Sequence, residues 1–373
     1  MTIPPAKIHF PKGDIREILT KIEVCLSSGQ LTLGENGKRF EDEFAKSLSI
    51  NHAVAVNSGT SAIEIPLRIL GVTNKEVLVP TNTFFATPAA VVHAGGKVRF
   101  VDADPNTFSI SLEDLRTKLT DLTVGVIIVH IAGIVTPGIY KIREFCKENE
   151  LFLFEDAAHA QGSKFNGQMA GTFGDAASFS FYPTKVMTSA EGGMIVTNDN
   201  NIKNAAMLYR DQGKISFTQN YHDKLGYNWR MSEPHAIIGL SQFHRIREFI
   251  EARRAVAAIY DEGLRSIPKI KSLELHPGCE SNYYKYIALL EDGFDRAKLK
   301  KILREKFDVY LSGEVYETPC HLQPIFREAT KEGEFPKAED ICGRHVCLPI
   351  YATMTKNEAY YVLESLENAI RQM

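Results

Sequence analysis

The sequence predicts an α/β fold. A large domain, residues 1–250, would carry a mixed, mostly parallel sheet flanked by helices, and a smaller C-terminal α+β domain would take 251–373. Three observations lead there. From residue 53 onward short β-rich runs alternate with segments of helical spacing, the pattern of a sheet covered by helices. Two later runs, Ser178–Tyr182 and Met194–Thr197, have only a loop between them. A parallel crossover needs about a dozen residues or more, so at least one strand there is predicted to be antiparallel. Finally, a long helical stretch from Ser232 to about Leu264 makes a natural bridge to a second unit.

The elements follow in order. Asp14 with Glu17 three residues on reads as a capping box opening the first helix. Ile15, Ile18, Leu19, Ile22 and Cys25 share a face of it, and Gly29 is its stop. The β-rich runs are Ala53–Val56, Val77–Val79, Val98–Val101, Gly125–Val129 and Leu151–Phe154, with helical segments such as Ala62–Leu70 and Ile139–Cys146 between them. Ser232 caps the long helical stretch and Pro234 suits its first turn. Beyond it come a strand-like run at Tyr283–Leu290, a helix after Asp295 with Leu299, Ile302 and Leu303 inward, and a last helix opened by a Thr355–Glu358 capping box.

Composition narrows the class. The chain has 373 residues, 44% hydrophobic and 24% charged, with a formal net charge of −3. The basic footprint of a nucleic-acid binder is missing. No continuous apolar stretch of about 18 residues is present, so no spanning helix is predicted. The N-terminal segment does not read as a secretory signal. Six scattered cysteines read as reduced thiols of a cytoplasmic protein. Cys342 and Cys347 flank His345, but the spacing fits no zinc pattern and no metal site is expected.

Three segments carry chemistry. Asn57-Ser58-Gly59-Thr60-Ser61 lies between a predicted strand and helix, where free N–H groups and small hydroxyls can cradle a phosphate. The bland alternative is a helix cap. Neither a G-x-G-x-x-G loop nor a P-loop is present. The run Leu151–Phe154 ends in Glu155 and Asp156, with His159 three residues on. A carboxylate at the carboxyl end of a strand can hold a protonated ring nitrogen, although Asp156 alone could be a turn cap and His159 a satisfied core residue. Ser178–Tyr182 leads into Pro183-Thr184-Lys185, and a lysine on a rigid, desolvated turn is a nucleophile toward aldehydes. A phosphate cradle, a strand-end acid and a later lysine, in that order, describe a pyridoxal 5′-phosphate site.

The ordered motifs SGTSA (58–62), PTNTFFAT (80–87), FVDAD (100–104), VHIAG (129–133), EDAAHAQGS (155–163), GTFGDAASFSFYPTK (171–185), EGGMIVTND (191–199), LGYNWRM (225–231) and PCHLQPIF (319–326) extend the match over nearly the whole chain. With them the sequence resembles the DegT/DnrJ/EryC1/StrS aminotransferases, which have the aspartate aminotransferase fold (type I). The resemblance implies that Lys185 holds the cofactor covalently, Asp156 bonds its pyridine nitrogen, and His159 sits beside the ring hydroxyl. It implies that Phe84 stacks on the ring, that Gly59, Thr60, Ser61 and Ser180 hold the phosphate, and that Asn228 reaches the phosphate of the other subunit. Arg230, Tyr316 and His321 would lie near the substrate.

The implied reaction is amino transfer to a keto sugar, most often nucleotide-linked, from a donor such as glutamate. The cofactor would pass through its pyridoxamine form in a homodimer with shared sites. Alternatives within the same chemistry are an unactivated keto sugar, a keto sugar acid or a cyclitol ketone. A dehydratase relative would have histidine where this chain has Lys185, and a non-catalytic regulator is disfavoured by the charge. Three departures surround the site. Val186 replaces the usual asparagine after the lysine, Ala190 replaces a glycine before Glu191-Gly192-Gly193, and Ile131–Pro137 departs from the usual segment.

Overall fold

The computed structural model describes residues 1–216, 220–327 and 330–373. The β-rich runs become the strands β1 (His52–Val56), β2 (Glu76–Pro80), β3 (Lys97–Val101), β4 (Thr123–Val129), β5 (Phe152–Asp156), β6 (Ala176–Ser180) and β7 (Gly193–Thr197). They form one sheet in the order β1-β7-β6-β5-β4-β2-β3. Strand β7 runs antiparallel to both β1 and β6, and the other pairs are parallel. The mixed sheet expected from the short 181–192 connection is therefore present. The run predicted at Ser178–Tyr182 starts earlier, at Ala176, and ends at Ser180, with Phe181 and Tyr182 between it and Pro183.

The sheet is an apolar slab. Val77, Val79, Ile127 and Phe154 pack on one side with Leu67 and Val91, while Leu78, Val126, Ile128, Phe179 and Val196 pack on the other with Phe44 and Phe145. Neighbouring side chains on one strand face opposite ways. That alternation separates Glu155 from Asp156. Glu155 is fully buried and accepts from the N–H groups of Gly171 (2.8 Å), Phe173 (2.6 Å) and Gly174 (2.8 Å). It also meets His130 Nε2 at 2.9 Å. His130 Nδ1 accepts from the Thr136 N–H, so the proton sits on Nε2 and is donated to Glu155. Glu155 thus fastens the 171–174 turn that leads into β6, and Asp156 is left for the other side.

Two expectations for the helices need correcting. The first helix begins at Lys12, capped by no side chain, and Asp14 lies in its first turn. Asp14 is drawn to the Arg245 guanidinium (2.8 and 2.9 Å) instead of closing a capping box. Of its apolar face, Ile18 and Cys25 are buried but Ile15 and Leu19 are exposed. The long stretch from Ser232 is two helices, Glu233–His244 and Ile246–Gly263, broken at Arg245. Ser232 does cap the first, and Gly29 does end the N-terminal helix with φ 73°.

A second core forms from Val256, Tyr260, Leu299, Leu303, Val362 and Leu366, around an antiparallel sheet of β8 (Ile270–Ser272), β9 (Tyr286–Leu290) and β10 (His345–Leu348). Asp295 caps Arg296–Phe307, and the Thr355–Glu358 capping box opens Lys356–Ile370. Ile3 also belongs to this core. Its N–H donates to Asp308 O and its carbonyl accepts from Tyr310, both at 3.0 Å. Position 250 falls inside the helix Ile246–Gly263, which packs Phe249 and Ile250 against Val186 and Tyr284 and Val256 and Tyr260 into the second core.

Removing the Glu155 carboxylate leaves four buried donors without their acceptor. We expect Glu155→Ala to lose about 3–5 kcal/mol of stability, the usual cost of breaking a buried charged network. A denaturant midpoint unchanged from wild type would show that the 171–174 turn is held by other means.

Candidate active site

Asp156 ends β5 and Ser180 ends β6, while Asn57 and Ser58 follow β1. The chemistry-bearing segments therefore meet along the carboxyl edge of the sheet, where open α/β folds bind ligands. Asp156 is buried. Its Oδ2 accepts from Thr87 Oγ1 (2.8 Å) and its Oδ1 from the Ala158 N–H (3.1 Å). Burial pushes its pKa up, and the two hydrogen bonds and the Lys185 ammonium oppose that. Thr83 supports Thr87, hydroxyl to hydroxyl, at 2.8 Å.

Lys185 projects from the loop after β6, whose backbone turns through a Lys185 N–H bond to Tyr182 O (2.9 Å). Burial lowers its ammonium to about 8, while Asp156 pulls the other way. Its Nζ lies 4.8 Å above the centre of the Tyr284 ring. His159 stacks on the same ring at 4.2 Å and on Tyr316 at 6.1 Å. Burial holds His159 well below the ordinary imidazole value, so it is neutral near pH 7. Its Nδ1 is buried and has no hydrogen-bond partner, which is costly unless a ligand meets it. Tyr316 in turn faces Phe84 at 6.5 Å, and the Phe84 ring is 61% exposed over the site.

The phosphate loop behaves as a helix start with room left over. Ser58 caps the helix Gly59–Ile69 by accepting from the Ser61 N–H. The Ser61 hydroxyl is turned inward and donates to Asn57 Oδ1 at 2.7 Å. The Gly59 and Thr60 N–H groups of the first turn stay without intrahelical acceptors. A Cβ on Gly59 would lie 2.8 Å from Ser180 Cβ, so only glycine lets β1 and β6 bring these two residues together.

The remaining positions lie farther out. Asn228 is exposed and pairs through its backbone with Asp211. Arg230 makes an ion pair with Asp211 at 2.5 Å and a backbone bridge to Val56, which places it near the phosphate loop. His321 is fully buried, with Nδ1 on Thr81 Oγ1 (2.6 Å) and Nε2 on Glu339 Oε1 (3.1 Å). Neither ring nitrogen of His321 is left for a ligand. No group of metal-ligating side chains and no helix long and apolar enough to cross a membrane occurs among the described residues.

Four contributors went unseen in the sequence. Thr87 lay within a quoted motif with no role assigned, and Gln161 donates to Ser180 O at 2.5 Å. Asn282 donates to His159 O (2.8 Å) and Gln161 O (2.9 Å). Tyr284 comes from the approach to β9, about 100 residues beyond Lys185, a separation no local pattern bridges.

A free amine of Lys185 should be labelled by acylating reagents with a midpoint near pH 8 in cofactor-free protein, because burial lowers it to about 8. In Asp156→Asn the midpoint should fall further, since the carboxylate is what raises it. A midpoint near the ordinary lysine value of about 10.4 would overturn this account.

Known proteins share the architecture. A sequence model of the DegT/DnrJ/EryC1/StrS aminotransferase family matches residues 13–367. The chain is 32% identical over 354 residues to a GDP-perosamine synthase of Escherichia coli O157:H7, covering 92% of this chain and 93% of that one. It is 32% identical over 357 residues to a UDP-N-acetyl-3-dehydro-alpha-D-glucosamine 3-aminotransferase of Acidithiobacillus ferrooxidans, covering 94% and 93%. The solved structure of DesV from S. venezuelae, in complex with a ketimine intermediate, superposes with a TM-score of 0.92 at 27% identity over 98% of both chains. With its motifs assembled on one sheet edge and this match spanning most of its length, the chain belongs to the DegT/DnrJ/EryC1/StrS aminotransferase family.

Proposed function

We propose that the protein transfers an amino group from an amino acid, glutamate in the first instance, to a keto sugar, and that pyridoxal 5′-phosphate is its cofactor. The observation that carries the reading is Lys185, a half-buried amine lowered to about 8 by desolvation and set electrostatically against Asp156. The residues fit the group. The Gly59 and Thr60 amides and the Ser180 hydroxyl are available to its phosphate, Asp156 to its ring nitrogen, and the partnerless His159 Nδ1 to its ring hydroxyl. Phe84 and Tyr316 offer ring faces beside it.

When bound, the cofactor supplies an electron-accepting ring that stabilises negative charge at a neighbouring carbon. Asp156 keeps that ring electron-poor by favouring a proton on its nitrogen. With its acidity constant at about 8, Lys185 is partly neutral near pH 8. It can take the proton from the donor's α-carbon, and in the second half it can return one to the sugar carbon. The Tyr284, Val186, Phe249 and Ile250 side chains form an apolar cluster beside the lysine. The two relatives named above are a GDP-perosamine synthase and an aminotransferase of a UDP-linked dehydro sugar, and a nucleotide-linked keto sugar is the proposed substrate here. A panel of keto sugars, with and without a nucleotide, assayed with glutamate would decide it.

We expect Lys185→Ala to lose the cofactor's lysine-linked absorbance and its borohydride-trappable adduct, with turnover down by about three orders of magnitude or more. A reducible adduct at another lysine with normal turnover would refute the assignment.

The same reading pairs two chains. Asn228 is exposed on a segment that also exposes Leu225 and Tyr221, so it is free to serve a partner's phosphate. Lys185→Ala chains refolded with Asn228→Ala chains should then regain activity, up to one intact site per mixed dimer. If Asn228 serves its own chain, every site carries a lesion and activity stays flat. The mixing is read only where Asn228→Ala alone is impaired and mass measurement shows exchange.

A further inference from the structure

We propose that Tyr284 is a positioning residue for the reacting lysine: its ring face receives the Lys185 ammonium whenever that amine is not joined to the cofactor, and holds it beside Asp156 and His159. The inference rests on Lys185 being the cofactor lysine, and it adds a role for a residue of the C-terminal unit.

Lys185 needs such a seat. It is half-buried, and among the described residues its Nζ makes no ion pair and no hydrogen bond. The Asp156 oxygens are already met by Thr87 and Ala158. What the ammonium does meet is the Tyr284 ring, 4.8 Å from its centre. A cation over an aromatic face is attracted by the ring quadrupole, and more strongly where water is excluded. Water is excluded here. Tyr284 is 9% exposed and packs with Val186, Phe249 and Ile250.

The ring is also fixed. The Tyr284 backbone N–H donates to Asn282 Oδ1 at 2.9 Å, and Asn282 is itself clamped to His159 O and Gln161 O. The Tyr284 hydroxyl lies 3.3 Å from Thr184 Oγ1, on the residue before the lysine. His159 covers part of the ring at 4.2 Å and 29°. Tyr284 therefore contacts the lysine, the residue before it and the histidine together, so rotating it would displace all three.

Every charged or titratable neighbour can be named. Asp156 comes from β5, and His159 and Tyr316 from the loops over it. Arg253, on the helix Ile246–Gly263, faces Tyr284 but spends one guanidinium nitrogen on Tyr283 O (3.1 Å) and Ile350 O (3.0 Å). Lys285 lies 5.8 Å from the same ring and donates to Gly313 O at 3.1 Å. Both further cations are held by carbonyl groups, and Lys185 lies nearer the ring centre than Lys285.

The test measures the pH midpoint of Lys185 acylation in cofactor-free protein by competitive labelling and mass spectrometry, for wild type, Tyr284→Leu and Tyr284→Phe. Removing the ring face should lower the midpoint by about one unit, a tenfold change in the protonation equilibrium. Phe keeps the face, so Tyr284→Phe should match wild type. The alkaline rise in the holoenzyme's turnover with amino donor should shift with Leu and not with Phe. A Leu midpoint equal to wild type overturns the proposal, and so does a Phe midpoint that falls as far as Leu. Should Tyr284→Leu not fold, Tyr284→Met takes its place with the same expected shift. If Lys185 were not the cofactor lysine, the adduct of Lys185→Ala would persist while these midpoints still moved, so the two failures are distinguishable.

Discussion

The site depends on a buried carboxylate and a half-buried ammonium brought together at the carboxyl edge of the sheet. Asp156 and Lys185 each lose solvation, and desolvation shifts each pKa toward the neutral form, up for the acid and down for the amine. Desolvated charges are tolerated when each finds compensation, and here it is asymmetric. Asp156 is met by a threonine hydroxyl and a backbone N–H, whereas Lys185 has an aromatic face. The acid is therefore held where a ring nitrogen can use its charge. The amine is held loosely enough to give up its proton near neutral pH, as a general base must.

Keeping that pair dry and aligned requires both halves of the molecule. Asn282 spans the junction: its side chain donates to His159 O and Gln161 O and accepts from the Tyr284 N–H. Ser163 and Ser281 both donate to Gly133 O, at 2.6 and 3.1 Å, tying β5's following loop and the approach to β9 to one carbonyl. Gly133 has φ 89°, and a Cβ there would strike Asn282 Oδ1, so glycine is needed on both grounds. The unusual segment Ile131–Pro137 is thus part of the clamp and not a surface variation.

Much of this was legible in the sequence because it is local. β-rich runs ending in Asp156 and Ser180, a capped helix after Asn57, and a lysine after Pro183-Thr184 each follow from a few neighbouring residues. The antiparallel strand followed from loop length alone. What escaped was set by contacts far apart in the chain. Asp14 was read as a cap but pairs with Arg245, 231 residues away. Tyr284 and Asn282 reach the site from the second unit, and Ile3 pairs with it from the opposite end of the chain. His321 matched a substrate position by motif, yet Thr81 and Glu339 take both its nitrogens, which only the packed structure reveals.

The departures around the lysine have a common physical sense. Ala190 adopts φ 68°, a conformation that costs a residue with a Cβ about 1 kcal/mol relative to glycine, and its N–H donates to Thr188 Oγ1 at 2.9 Å. Thr188 in turn donates to Phe181 O, so the strained alanine closes the lysine loop back onto the end of β6. Val186 is buried against Phe249, Ile250 and Tyr284, where an amide side chain would need partners that this apolar cluster lacks. The apolar residue after the lysine helps withhold water from the amine, whose desolvation lowers it to about 8, while the aromatic face over it favours the ammonium. The substitutions that set this chain apart from the family pattern therefore bear on the proton the lysine carries. The carboxylate and the 57–61 loop, to which the proposed function gives the cofactor's ring nitrogen and phosphate, keep the family's residues.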